Sequence, residues 1–456
     1  MPFTMRLIFW QALSLLLVSV LARGLSKPHE KRFLQDIHER TILQNGQVRP
    51  TDYADTRIDP AEYTFNTYLP DATEISYKGR WDSKYVSWWS APGIRFGYTG
   101  QTVAVSFGNL TSDGVLVGYR IAGLDWQFTN ITAGATHLLV TPDTLGSNLT
   151  YPISPVTFEL RVTNWAYGIQ LSAVHVAEGE SLVSVPDYGR RIEFIGDSLT
   201  SGMYTTYEGL SSFGYGIGAG LGESEYSVTA YPGICVSDQN CWGNVRGQSR
   251  QWFYSCDTSG RAVEQYGANL EHAEPWDFSK HPAADLVVIN IGTNDQNAYN
   301  NVSAQTYQDS LTRLIQGVHG VWPNAQVVLM TLWLGFYQYG NSYLPNSPDG
   351  FEPQVRAVYD YFNSPAYLAS PLVYDGVTNR TRHLNTTSEP FLHLLNTSGI
   401  LQHNDIGPQY HPTDVGAVKV ASHALQYIKL VLGWELLANG PEIQHETLYW
   451  NDEQNY

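Results

Sequence analysis

Apolar and polar residues alternate along residues 60–180, which indicates strands rather than helices. Val103, Val105 and Phe107 follow this period of two, and it recurs over residues 115–121 and 156–162. Turns rich in glycine, serine and asparagine separate the runs. Short alternating strands at regular spacing predict a β-sandwich or jelly roll for this part of the chain.

The pattern changes beyond residue 186, and residues 188–435 predict a second domain of the α/β type. Continuous apolar runs at 192–195, 286–291 and 327–332 are typical of strands buried on both faces. Residues 303–318, 352–362 and 413–432 have helical spacing, so the alternation predicts a parallel sheet flanked by helices. The stripe predicted to be buried on the last helix is Val415, Val418, Ala421, Leu425, Ile428 and Val431.

The two ends of the chain lie outside these domains. Residues 1–22 combine a basic start with a short apolar stretch, which predicts a signal peptide and a secreted, extracellular protein, with an uncleaved anchor as the alternative. Residues 23–59 predict a polar pro-segment or surface arm, and residues 436–456 predict a polar C-terminal tail. Seven Asn-x-Ser/Thr sequons agree with secretion and predict glycosylation. Their asparagines are Asn109, Asn130, Asn148, Asn301, Asn379, Asn385 and Asn396.

Composition and charge narrow the classes of partner. The 456 residues carry a formal net charge of −17, which disfavours binding to nucleic acid or to anionic membrane surfaces. Charged residues make up only 15%, whereas 13 Trp and 30 Tyr are present, a profile typical of secreted carbohydrate-active proteins. The expected partner is therefore an uncharged substrate, and the oligomeric state is left open.

Three cysteines, Cys235, Cys241 and Cys256, lie within one short stretch of the chain. In an oxidising compartment they predict one disulfide and one remaining thiol. We expect Cys241 to pair with Cys256, because Cys235 lies close to a glycine that is assigned to the reaction site below. No His pair accompanies the cysteines at ligand spacing, so no metal site is predicted.

A serine, an asparagine and a histidine occupy corresponding places in the second domain. Ser198 follows the strand at 192–195, Asn294 follows the strand at 286–291, and His411 opens the last helix. The carboxyl ends of parallel strands meet at one edge of a sheet, where open α/β sheets place their active sites. Serine hydrolysis needs these residue types, because a hydroxyl attacks, an imidazole takes its proton, and donors face the developing oxyanion.

Residues 188–435 resemble the SGNH (GDSL-type) hydrolases. Four sequence blocks carry the resemblance, in family order: Gly196-Asp197-Ser198-Leu199, Tyr231-Pro232-Gly233-Ile234, Gly292-Thr293-Asn294-Asp295 and His411-Pro412. The resemblance implies that Ser198 is the nucleophile and His411 its base. It also implies an oxyanion hole formed by the backbone N–H groups of Ser198 and Gly233 and by the side-chain amide of Asn294. No metal or organic cofactor is implied.

The sandwich domain is similar to the N-terminal jelly roll of carbohydrate esterase family 2. The similarity rests on residues 77–82 (Tyr-Lys-Gly-Arg-Trp-Asp), 89–93 (Trp-Ser-Ala-Pro-Gly) and 96–100 (Phe-Gly-Tyr-Thr-Gly). Those enzymes pair such a domain with an SGNH domain and remove acetyl groups from plant polysaccharides and sugars. The implied function is a secreted serine acetylesterase, with an acetylated carbohydrate as its substrate.

The sequence departs from the SGNH pattern at the residue that orients the histidine. The family usually has an aspartate three residues before the histidine, and here that position is Pro408. Three accounts are open. In the first, Asp405 reaches the imidazole. In the second, a backbone carbonyl near Pro408 orients the imidazole in a Ser-His dyad. In the third, the site is catalytically impaired. One well-placed acceptor for the Nδ1–H is chemically sufficient.

Two further questions stay open at this point. Trp242 and Trp252 follow the second block, and they form either a sugar-stacking wall or part of the core. The alternative functions are a GDSL-type lipase or longer-chain acyl esterase, and a carbohydrate-binding protein that has lost turnover.

Overall fold

The computed structural model describes residues 41–44, 47–50, 53–149, 155–333, 335–345, 350–407, 410–438 and 442. The predicted signal peptide, most of the segment 23–59 and most of the tail lie outside these residues. Strands β1 (Thr41–Gln44) and β2 (Gln47–Pro50) pair as an antiparallel hairpin. They belong to a unit of residues 1–53, whereas residues 54–456 form a second unit that contains the sandwich and the α/β part.

A β-sandwich forms the first part of that second unit. One of its sheets has the strand order β3-β10-β7-β12-β4, and the other contains β5, β6, β8, β9, β11 and β13. The strands are β3 (Arg57–Ile58), β4 (Phe65–Tyr68), β5 (Ser76–Trp81), β6 (Ser87–Tyr98), β7 (Val103–Phe107), β8 (Val115–Ile121), β9 (Gln127–Ile131), β10 (Thr136–Val140), β11 (Val156–Val162), β12 (Leu171–Ala177) and β13 (Leu182–Val183). Because β3 pairs with β10, the sandwich begins slightly before the predicted residue 60.

The alternation in the sequence builds the core between the two sheets. Val103, Val105 and Phe107 on β7 are buried in one cluster with Phe96 on β6 and Phe158 on β11. The rings of Phe96 and Phe158 stack with their centroids 5.1 Å apart. Burying apolar side chains of this size contributes about 1.5–3 kcal/mol each. The predicted strand pattern is therefore the packing pattern of the sandwich.

The second part is a parallel sheet with helices around it. Its strand order is β22-β17-β16-β14-β15, from β14 (Arg190–Gly196), β15 (Ser224–Ala230), β16 (Leu286–Asn290), β17 (Gln326–Met330) and β22 (Leu392–Leu395). The helices are α1 (Ser198–Ser201), α2 (Phe213–Leu221), α3 (Gln248–Gln251), α4 (Gly260–Tyr266), α5 (Ala304–Val321), α6 (Glu352–Phe362), α7 (Pro365–Ala369) and α8 (Asp414–Leu432). Two small hairpins are added, β18 (Phe336–Tyr339) with β19 (Ser342–Pro345), and β20 (Leu372–Asp375) with β21 (Arg380–His383). The predicted two-domain fold class is confirmed.

A strand pair joins the sandwich to the parallel sheet. Ser90 on β6 lies opposite Val228 on β15, so that one continuous sheet runs through both parts. Beside this junction the buried guanidinium of Arg80 on β5 donates to Glu193 on β14 at 3.0 Å. The sandwich therefore braces the sheet that carries the candidate active site.

The last helix, α8, has the predicted bounds but not the whole of the predicted buried stripe. Val415 and Val431 are exposed, whereas the buried face consists of Ala417, Val420, Ala421, Ala424 and Ile428. Small side chains on this face permit a close approach to the glycine-rich helix α2. A Cβ atom added at Gly216 would lie only 2.9 Å from the Cβ of Ala421.

Within the described part of the chain, no helix is long and apolar enough to cross a membrane.

Candidate active site

Ser198 lies at the carboxyl end of strand β14, on the first turn after the sheet. A Cβ atom at Gly196 would collide with the hydroxyl of Thr200, so the turn into α1 requires a glycine there. Asp197 caps α1, because its Oδ1 accepts the backbone N–H of Leu199 at 3.0 Å. Gly196 lies opposite Asn290, the last residue of β16, so the segment after β16 starts beside the serine.

Asp197 and Asp295 are buried carboxyl groups beside this turn. Burial raises the pKa of Asp197 to about 7, and repulsion from Asp295 adds to the shift. Burial also raises the pKa of Asp295, although hydrogen bonds from Ser237 and from the backbone N–H of Val236 oppose the shift. Asp197 accepts the backbone N–H of Leu199, and Asp295 accepts those of Val236 and Ser237, which agrees with a structural role rather than a catalytic one.

The two candidate oxyanion donors beyond Ser198 lie on neighbouring loops. Gly233 has a φ of +78°, a conformation that favours glycine, and a Cβ there would meet Asn244 and Trp242. The amide nitrogen of Asn294 donates to the carbonyl oxygen of Ile234 at 2.9 Å. An amide NH₂ group carries two hydrogens, so one remains for an oxyanion. Asn294 therefore contacts Ile234, the residue that directly follows Gly233 in the sequence.

Further hydrogen bonds hold these two loops together. The carboxylate of Asp295 accepts the backbone N–H groups of Val236 at 2.8 Å and Ser237 at 3.0 Å. The side chain of Gln239 donates to the carbonyl oxygen of Asn300 at 2.8 Å. The loops after β15 and β16 thus form one hydrogen-bonded unit, which fixes the donors of the candidate oxyanion hole before a substrate arrives.

His411 lies on a loop that folds back on itself before α8. Its carbonyl oxygen accepts the N–H of Gly407 at 2.7 Å, and Ile406 forms a β-bridge with Pro412. The ring of Tyr204, six residues after Ser198, meets the imidazole edge to face, with centroids 5.0 Å apart. The structure thus places the predicted base against the loop that follows the predicted nucleophile.

The two candidates for orienting His411 have different outcomes. Both carboxylate oxygens of Asp405 lie 2.8 Å from Nζ of Lys419, and Oδ2 also accepts the N–H of Gln402. Asp405 is buried by these contacts, which occupy it in the loop framework. Pro408 lies outside the described residues. The acceptor for the Nδ1–H of His411 therefore stays a prediction.

The two candidate sugar-binding tryptophans differ completely in exposure. Trp242 is 50% exposed, and its ring stacks on that of Tyr299 at 4.6 Å, with an interplanar angle of 13°. Trp252 is fully buried, and its N–H donates to Glu193 at 3.1 Å. Of the two interpretations, Trp252 is therefore part of the core and not a substrate contact, because it follows helix α3 and its side chain packs into the core between the two parts.

The predicted disulfide was wrong. Cys235 pairs with Cys241, with their Cα atoms 5.9 Å apart, and Cys256 is a buried free thiol. The chain turns between the two cysteines, where the N–H of Gln239 donates to the carbonyl oxygen of Ser237 at 2.8 Å. The nearby glycine does not prevent this pairing. Instead, the disulfide closes the loop between Gly233 and Trp242.

Sequence reasoning missed three side chains in or beside the site. Tyr299 supplies half of the aromatic pair, Tyr204 contacts the imidazole, and Asp414 binds the loop that follows Ser198. An exposed tyrosine five residues after Asn294 has no distinguishing local pattern.

All seven sequon asparagines are exposed, as glycosylation requires.

Comparison with known proteins agrees with this geometry. Residues 194–417 match the model of the GDSL-like Lipase/Acylhydrolase family, so this part of the chain is a GDSL-like hydrolase domain. No curated protein matches the chain. The family match and the arrangement around Ser198 identify a carboxylic ester hydrolase.

Solved structures share the whole two-domain fold. A family two carbohydrate esterase from Clostridium thermocellum, in complex with cellohexaose, is 18% identical, with a TM-score of 0.56 over 79% of this chain and 99% of its own. An acetyl xylan esterase from Butyrivibrio proteoclasticus is 16% identical, with a TM-score of 0.59 over 81% and 99% of the two chains. The salicylyl-acyltransferase SsfX3 from a tetracycline biosynthetic pathway is 11% identical, with a TM-score of 0.52 over 82% and 100%.

Proposed function

We propose that this ester hydrolase is secreted and removes O-acetyl groups from plant polysaccharides or oligosaccharides. The observation that carries the substrate class is the exposed Trp242–Tyr299 pair beside Gly233. Aromatic rings present flat apolar surfaces on which the apolar face of a sugar ring packs, and the polar edge of the sugar stays in water. The carbohydrate esterases that share the fold support the same substrate class.

The proposed reaction is a two-step acyl transfer. Ser198 Oγ attacks the ester carbonyl while His411 takes its proton, and the oxyanion accepts hydrogen bonds from Ser198 N–H, Gly233 N–H and the Asn294 amide. His411 then protonates the departing sugar hydroxyl. Water, deprotonated by His411, hydrolyses the acetyl-serine and releases acetate. We propose a Ser-His dyad, in which a carbonyl near Pro408 orients the imidazole. The contact of Asp405 with Lys419 supports this choice, because it occupies the alternative acceptor.

The test is release of acetate from acetylated xylan and from acetylated cello-oligosaccharides by the protein expressed in a secreting host. Acetate from the glycan, lost in Ser198→Ala, supports the proposal, and the same preparation reports glycosylation as a mass shift after deglycosylation. Activity on aryl acetate without release of acetate from any glycan contradicts the substrate class. Glycan binding without any turnover contradicts the reaction and favours a binding protein.

A cavity at the same edge of the sheet favours a second candidate, an esterase for a larger, apolar acyl group. The cavity has a volume of about 260 Å³, and Gln296, two residues after Asn294, lines it. Its apolar lining residues are Leu332, Trp333, Phe336, Pro345, Phe351 and Leu401.

This second candidate is tested by acyl preference. The salicylyl-acyltransferase with the same fold shows that the architecture is compatible with an aromatic acyl group in that protein. Higher kcat/KM for 4-nitrophenyl hexanoate or benzoate than for the acetate, reduced selectively by Trp333→Ala, supports the larger acyl group. A steep fall in kcat/KM with acyl length returns the assignment to an acetylesterase.

A further inference from the structure

The loop that follows Ser198 is bound to the start of helix α8, directly after His411. The buried carboxylate of Asp414 accepts the backbone N–H of Thr206 at 2.8 Å and the Thr206 hydroxyl at 2.5 Å. Asp414 is the first residue of α8, three residues after His411, and Thr206 is two residues after Tyr204. One side chain therefore connects the segment of the nucleophile to the segment of the base.

Tyr204 has a left-handed backbone conformation, which is uncommon for a residue other than glycine. Its φ is +72°, and it follows Gly202, whose φ is +76°. The Thr205 hydroxyl donates to the carbonyl oxygens of Gly202 and Glu208 at 2.7 and 3.1 Å, which holds the loop on both sides. Strained residues of this kind are concentrated at functional sites. Here the strained residue presents its ring to the imidazole of His411.

We propose that Asp414 is a positioning residue that acts through Thr206 and Tyr204 to keep His411 aligned with Ser198. This inference rests on the proposed acyl transfer, in which Ser198 and His411 react together. Asp414 lies after the histidine, on the opposite side of it from the aspartate in the SGNH pattern. Asp414 acts on the His411 ring through the packing of Tyr204. The acceptor of the Nδ1–H orients the same ring by a hydrogen bond.

A purely structural role for Asp414 makes a different prediction. An acid in the first helical turn stabilises a helix through its charge, and Asn removes that charge. In the positioning role Asn suffices, because its Oδ1 still accepts the Thr206 N–H and its amide still meets the Thr206 hydroxyl. Likewise, Phe preserves the ring contact of Tyr204, whereas Ala removes it.

The experiment measures kcat and KM for 4-nitrophenyl acetate, with thermal unfolding, in Asp414→Ala, Asp414→Asn, Thr206→Val, Tyr204→Ala and Tyr204→Phe. We expect a loss in kcat of about 100-fold for Asp414→Ala with KM within about twofold, since a misplacement of 1 Å costs on this order. We expect kcat of Thr206→Val and of Tyr204→Ala to lie between the values for Asp414→Ala and wild type. Asp414→Asn and Tyr204→Phe should keep the wild-type kcat. Asp277→Ala, which removes an acid that caps a distant exposed turn, is the matched control.

A second readout does not depend on the identity of the substrate. Diethyl 4-nitrophenyl phosphate reacts when Ser198 Oγ attacks phosphorus, 4-nitrophenolate leaves and His411 accepts the serine proton, so its rate reports the alignment of the two groups. Slower labelling of folded Asp414→Ala, with the wild-type rate restored in Asp414→Asn, supports the inference. It does so even if no acetyl ester is hydrolysed, because the absence of hydrolysis would refute only the proposed function. Wild-type kcat and labelling rate in Asp414→Ala overturn it, as does equal loss in Asp414→Asn. If Asp414→Ala does not fold, wild-type rates in both Thr206→Val and Tyr204→Ala overturn it.

Discussion

The carboxylate of Asp295 accepts the backbone N–H of Val236 at 2.8 Å, and this bond joins the two loops that carry the candidate oxyanion donors. Asp295 adjoins Asn294, and Val236 lies three residues after Gly233. Displacement of either loop therefore displaces the other. A donor pair built in this way keeps its geometry without a bound substrate, which is the condition for electrostatic stabilisation of a transition state.

Removing this connection should impair catalysis more than binding. In Asp295→Ala two buried N–H groups lose their acceptor, and we expect kcat for aryl acetate to fall by about 10–100-fold. Unfolding should also become easier by about 2–4 kcal/mol, for the same two groups. Asp295→Asn retains one acceptor and should lie in between. An unchanged kcat in folded Asp295→Ala would show that the donors do not depend on Asp295.

The Asn294 side chain should contribute to the transition state and little to substrate binding. We expect Asn294→Ala to lower kcat by about 10²–10³-fold, the loss typical of one oxyanion donor. KM should stay close to the wild-type value, because the oxyanion forms only after attack. Asn66→Ala, an exposed asparagine on the sandwich, is the matched control. A change confined to KM would exclude Asn294 from the oxyanion hole.

The raised pKa of Asp197 predicts a pH dependence of stability. Its folded pKa is about 7, above the ordinary value of 3.8, so the native state binds the proton more tightly than the unfolded state. The free energy of unfolding contributed by this group is therefore full below pH 4 and is lost as pH rises towards 7. Asp197→Asn should unfold at higher denaturant concentration than wild type at pH 8, with a smaller difference at pH 4. A difference that is larger at pH 4 would contradict the assignment.

Trp242 should act on glycan substrates specifically. Loss of one stacking surface is worth about 1 kcal/mol, so we expect Trp242→Ala to raise KM for acetylated oligosaccharides by roughly fivefold. The change for 4-nitrophenyl acetate should be smaller, because that substrate has no sugar ring. Trp434→Ala is the control, since Trp434 contacts Arg190 at the start of β14, the far edge of the sheet. Equal changes for both substrates would show that Trp242 supports the loop rather than the sugar.

Local patterns were sufficient for the fold class, because the alternation around Val105 and the apolar run before Asn290 report burial directly. The roles of Ser198 and His411 come from the resemblance to the SGNH blocks and stay predictions. Long-range packing decided the rest. The pairing of Cys235 with Cys241, the burial of Trp252 against Glu193 and the exposure of Val415 depend on neighbours that are distant in sequence or on which face of a helix meets α2.

The most direct test of the central claim is hydrolysis of 4-nitrophenyl acetate by wild type beside Ser198→Ala and Asp405→Ala, with thermal unfolding to confirm that each variant folds. We predict an active wild type, an inactive Ser198→Ala, and an Asp405→Ala that keeps most of its kcat, because the Asp405 carboxylate binds Lys419 and Gln402. Loss of kcat in folded Asp405→Ala would replace the dyad by a displaced triad. Full activity in Ser198→Ala would contradict the mechanism itself.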